Sequence, residues 1–112
     1  MEKKEINYNF AKEFTSYPGP RYKDIGEHSG EEFREDILIP KFFDKNISIY
    51  IDVEDVELSF GPSFLSEAFG VTAKKYGLDK FNQIVKVKID TEKGKRFQKK
   101  MMEYVEDELN GN

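Results

Sequence analysis

Apolar and polar residues alternate in three separate stretches of the chain. Near the start, Ile6, Tyr8 and Phe10 fall on every second position, the spacing of a short strand with its even positions turned inward. The clearest case is "ISIYIDV", which puts Ile47, Ile49, Ile51 and Val53 on one face and Ser48, Tyr50 and Asp52 on the other. "IVKVKID" repeats the pattern with Val85, Val87 and Ile89 opposite Lys86 and Lys88, and lysines placed so guard an exposed sheet edge. "VEDVELSF" also alternates, through Val56, Leu58 and Phe60, and reads either as an extended continuation or as a loop with apolar anchors.

Between these stretches the apolar spacing becomes helical. In "SGEEFREDILIPKFFDKN", Ser29 and Glu32 stand at capping-box spacing, so a helix is expected to begin near Ser29. Phe33, Ile37 and Leu38 mark its buried stripe, and Pro40 predicts an end or a kink because it lacks an amide and obstructs the preceding turn. Phe42 and Phe43 would then pack beyond the kink. A second helix is predicted in "PSFLSEAFGVTAKKYG", with Leu65, Ala68, Phe69, Thr72 and Tyr76 inward and Gly77 just past its end. On that assignment Phe64 lies toward the side of the helix. From Thr91 to Asn110, Phe97, Met101, Tyr104, Val105 and Leu109 form the stripe of a closing amphipathic helix.

Strands separated by helices predict an α/β fold, a single domain over residues 1–112 with a mixed or parallel sheet of about four strands. Because the strands alternate instead of being apolar throughout, the helices are expected mainly on one face, with the other face partly open. The remaining segment, "TSYPGPRYKDIGEHSG", holds two prolines and three glycines and reads as a long, restricted loop.

Composition narrows the picture. With 36% charged residues, the chain must draw much of its buried area from 10 Phe and 6 Tyr. It has no cysteine and one histidine, which excludes disulfides and thiol catalysis and argues against metal chemistry and a cofactor. No run approaches the roughly 20 apolar residues of a membrane span, and "MEKKEINYNF" lacks the apolar centre of a signal peptide, so a cytoplasmic location is expected. A net charge of -4 in mixed order offers no basic stripe for nucleic acid. Lys93, Lys95, Arg96, Lys99 and Lys100 form a local cluster that reads as a solvated helix face, since Glu103, Glu106, Asp107 and Glu108 follow it directly.

Four segments in order, "PGPRYKDIGEHSGEEFRE", "LIP", "IYIDVED" and "GPSFLSEAFG", resemble the STAS-like domains of unknown function, small bacterial relatives of anti-sigma-factor antagonists. The resemblance runs from about Ile6 to Gly70. It implies an α/β domain with a regulatory, non-enzymatic role, in which a serine at the start of the helix after a central strand is phosphorylated by an ATPase-type serine kinase that is also its partner. By motif position that serine is Ser63. Two residues depart from the pattern: Pro62 stands where the family has its first serine, and Gly61 replaces an acidic residue. Proline suits the first helical position, so the helix start is retained.

The resulting expectation is a protein-interaction switch with Ser63 as phosphoacceptor and Gly61, Pro62, Ser63, Phe64 and Glu67 as the partner surface. Its partner would be such a kinase or an anti-sigma-like regulator. The alternative is a sensor in which Arg21, His28, Ser29 and Arg34 hold an anionic small molecule or nucleotide at a helix start. Against it, the two arginines could simply pair with Glu31, Glu32 or Asp36 and pin the loop. A third reading is a scaffold that self-assembles through the open sheet face. Catalysis lacks parts: His28 and Ser29 have no evident orienting acid, and Asp52 and Asp55 have no second cluster to complete a site.

Overall fold

Three parallel strands, in the order β1-β2-β3, form the sheet of the computed structural model, which describes residues 4–111. Residues 1–3 and 112 of the expected domain lie outside the described residues. Strand β1 is Glu5–Asn9, β2 is Ser48–Asp52 and β3 is Val85–Val87. Ile6 pairs with Ile49 and Tyr8 with Ile51, while Ile49 and Ile51 pair on the other side with Val85 and Val87. This register puts all six on one face, where all but Ile6 are buried. On the opposite face Asn7 and Lys86 are exposed and Tyr50 is half-buried.

The alternation in "VEDVELSF" does not make a fourth strand. The Asp52 side chain accepts a hydrogen bond from the Glu54 amide, which turns the chain out of the sheet, and the Val56 amide closes a turn onto the Val53 carbonyl. Val53 and Val56 are buried as anchors of a loop.

Helix α1, Phe10–Glu13, follows β1 at once and is capped by the Asn9 side chain on the Lys12 amide. Helix α2 starts at Gly30–Glu32 and widens into Phe33–Phe43, where the spacing of hydrogen bonds is five residues, as in the Asp44 amide on the Ile39 carbonyl. Pro40 therefore does not end the helix. A wider turn relieves the contact between the proline ring and the preceding turn, so the element continues to Phe43. The same widening changes the buried stripe: Phe33, Leu38 and Phe43, five apart, are all buried, and Ile37 is only partly so.

Helix α3 spans 62–76 in three parts, Pro62–Leu65, a wide segment Ser66–Gly70, and Val71–Tyr76. Gly77, with φ of 91°, follows its last residue. Helix α4, Leu78–Ile84, is absent from the sequence reading because seven residues offer only Phe81 and Ile84 as inward positions, too few to show a period. Helix α5, Glu92–Leu109, is capped by Thr91 and buries Phe97, Met101 and Val105.

The core is aromatic. Phe33 is fully buried, with ring centroids 5.1 Å from Phe10, 5.3 Å from Phe14 and 5.7 Å from Phe69. Tyr8 also contacts it at 5.9 Å, yet the Tyr8 hydroxyl is buried with no hydrogen-bond partner among the described residues. Burial, and secondarily the charge of Glu13, pushes this phenol well above its ordinary value of 10.0.

A buried hydroxyl without a partner is a cost, so Tyr8→Phe is expected to stabilise the domain by about 1 kcal/mol. In the wild type the unfolded phenol ionises while the folded one does not. The stability of the wild type is therefore untouched by this group below about pH 10 and falls as pH rises further. Urea midpoints at neutral pH and near pH 11 test this: the variant should gain at the first and lose less at the second, and equal midpoints at both would refute it.

Candidate functional site

From the end of β2 the chain passes through its two valine anchors to an exposed stretch, Glu57, Leu58 and Ser59, and then to Phe60, half-buried against Phe97, Phe10 and Phe64. Gly61 is extended and Pro62 opens α3, as its fixed φ and missing amide allow. Ser63 is exposed in this first turn, and no side chain caps the helix start.

The turn that follows is enclosed on every side. Every residue from Phe64 to Gly70 is buried, because α3 runs between α2 and α5 and touches both. The expectation for Phe64 is thus corrected: its side chain is fully buried against Phe10 and Phe60, not beside the helix. Glu67 is also withdrawn from the proposed partner surface, since only 6% of it is exposed. A carboxylate at that depth needs cations. Arg34 supplies one, with Nη2 2.7 Å from Glu67 Oε2 and Nε donating to the Glu67 backbone carbonyl at 3.1 Å. Arg21 supplies a second at 3.7 Å.

The same contacts engage residues of the alternative anionic-ligand site within the fold. Arg21 and Arg34 do fasten a loop, but to Glu67, far along the chain, instead of Glu31, Glu32 or Asp36. Ser29 is buried and accepts from the Glu32 amide, as a cap should, while Glu32 turns back to the His28 amide. The next amides at this helix start are spent as well, Gly30 on the Pro20 carbonyl and Glu31 on that of Arg21. His28 sits in a left-handed turn, φ 56°, with its ring edge-on to Phe14 at 5.4 Å. The amides at this helix start are thus already bonded, and Arg21 is the more exposed of the two arginines, with a third of its side chain open.

Two glycines permit this packing. A Cβ on Gly30 would lie 2.6 Å from the Phe64 carbonyl oxygen, and one on Gly19 would lie 2.2 Å from that of Glu27. The loop is held from its other end too, where the Glu57 and Leu58 amides donate to the Ser16 carbonyl and the Tyr17 hydroxyl donates to Glu57. The hub of all this, Glu67, was missed as such in the sequence. Its signal was there: it is the only charged residue between Pro62 and Ala73.

Among the described residues no group of three or more histidines or acids could hold a metal ion, and no helix is long and apolar enough to cross a membrane.

Helices interleaved with a three-stranded parallel sheet make this a small α/β domain. A family model described as a STAS-like domain of unknown function (DUF4325) matches residues 29–95, more than half of the chain, and the chain belongs to that family. It matches no curated protein and no solved structure.

Removing the Glu67 charge leaves Arg34, whose side chain is 15% exposed, with only the longer contact to the exposed Glu35, at 3.8 Å. Glu67→Gln is expected to cost about 3 kcal/mol in denaturant unfolding. Replacing both, Arg34→Met with Glu67→Leu, should recover most of the loss, because it removes the unpaired charge. A loss from Glu67→Gln no larger than that of an exposed acid would show that the pair does not hold the helices.

Proposed function

We propose that this domain is a non-catalytic regulatory module that docks a protein partner on the rim formed by Gly61, Pro62 and Ser63, and that phosphorylation of Ser63 releases the partner. The observation that carries this reading is the exposure of Ser63 in the uncapped first turn of α3, at the motif position of the family's phosphoacceptor. The helix end favours an attached phosphate through its partial positive charge. Glu67, one turn further on, is paired with Arg21, a third of whose side chain is exposed. The phosphate adds about -1.5 to -2 charges to a surface that a partner must desolvate, and that reverses docking. An ATPase-type serine kinase or an anti-sigma-like regulator is the partner that the resemblance supports.

The test is the intact mass of the protein isolated from its source cell, with and without Ser63→Ala. One added phosphate that the substitution abolishes is expected, together with a captured partner that Ser63→Asp no longer retains. Phosphate on another residue, or a complex indifferent to Ser63→Asp, would overturn the proposal.

A further inference from the structure

On the far side of the 57–61 segment from the Arg21 loop lies a cavity of about 210 Å³. Its floor is apolar: Val53, Val56, Leu65 and Phe97, each at most 6% exposed. Leu58, which is 52% exposed, and Phe60 form one wall. The opposite wall is the start of α5, which contributes Lys93, Arg96 and Lys100. The cluster that reads in sequence as a solvated face therefore borders a hydrophobic hole.

The charges there are unbalanced. Lys93 donates to the backbone carbonyls of Glu54 and Val56, which fixes its ammonium at the cavity and leaves one of its three N–H groups unassigned. Arg96 and Lys100, four residues apart on one helix face, make no ion pair or hydrogen bond with any described residue, whereas Lys95 pairs with Glu92 at 3.8 Å. The only acid lining the cavity is Glu57, and its carboxylate already accepts from Tyr17. Three cations against one engaged carboxylate, above an apolar floor, is the complement of a molecule with one anionic end and one greasy end. The cavity is smaller than the roughly 300 Å³ at which drug-sized sites begin, so the occupant is small.

We infer that this cavity binds a small amphiphilic carboxylate, its hydrocarbon part on Val53, Val56, Leu65 and Phe97 and its head on Arg96 and Lys100. The site shares no proposed contact residue with the Ser63 rim and does not depend on that reading.

Octanoate below its micelle concentration is the probe, with acetate supplying the head alone and 1-octanol the tail alone. Calorimetric titration and thermal unfolding should show saturable binding and a raised midpoint with octanoate only. Arg96→Gln with Lys100→Gln, both exposed, should leave the free protein's midpoint in place and weaken octanoate by about tenfold or more. Leu58→Ser should weaken it as well, and Ser63→Ala should not. Equal response to acetate would mean general charge attraction, and equal response to 1-octanol a merely greasy hole; either overturns the inference. So does octanoate binding that the double variant leaves intact, or saturation by an acidic peptide with none by octanoate.

Discussion

A carboxylate taken out of water must be neutralised where it stands, and Glu67 meets that requirement with a guanidinium from another helix. Its partner Arg34 reaches both the Glu67 side chain, at 2.7 Å, and the Glu67 backbone carbonyl, at 3.1 Å. Two points of attachment on one residue fix orientation as well as distance. Because Arg34 belongs to α2 and Glu67 to α3, the pair sets how these helices lie, and the close approach of Gly30 to the Phe64 carbonyl allows no spacer between them. Arg21 then draws the long Pro-Gly loop onto the same carboxylate. Desolvating such a group is repaid only by good geometry, so the interaction gives position more than net stability.

That arrangement decides where chemistry remains available. Arg34 is engaged inside the fold and Arg21 is paired with the same carboxylate, while the helix start beside them has amides bonded to backbone carbonyls. On α5, Arg96 and Lys100 have no partner among the described residues. Between the two regions runs the segment 57–61, tied to the loop through Ser16 and Tyr17 and bordering the α5 cavity through Leu58 and Phe60. Ser63 follows directly, held in place by the burial of Phe64 beneath it.

Much of the fold was legible because alternation is a local signal. The three strands, the Ser29 cap, the Gly77 stop and the stripe of α5 depend on neighbours within a few residues. Features set by distant contacts were not legible. The extended reading of "VEDVELSF" loses to a turn made by the Asp52 side chain, and the inward arc of α3 is wider than periodicity implies because two helices enclose it. Within the site, the exposure of Ser63 follows from its place in the helix, whereas the pairing of Arg21 and Arg34 with a carboxylate more than thirty residues away does not follow from spacing.

The two wide-turn segments bind these points together. Arg34 is the second residue of one and Glu67 the second residue of the other. A helix with five-residue hydrogen bonding brings positions five apart toward one side, and the buried apolar side chains keep that interval: Phe33, Leu38 and Phe43 in α2, Phe64 and Phe69 in α3. A regular α-helix would turn the members of each set away from one another. The wider turn lets Phe64 and Phe69 share the core while Glu67, between them in sequence, faces Arg34. Pro40 fits for the same reason, since the crowding of its ring against the preceding turn is a penalty of the tighter helix, whereas its missing amide costs a hydrogen bond in either. The proline that reads as a breaker and the Phe64 that reads as lying to the side of its helix are thus two consequences of a single departure from α-helical spacing, and that departure brings the arginine and the carboxylate together.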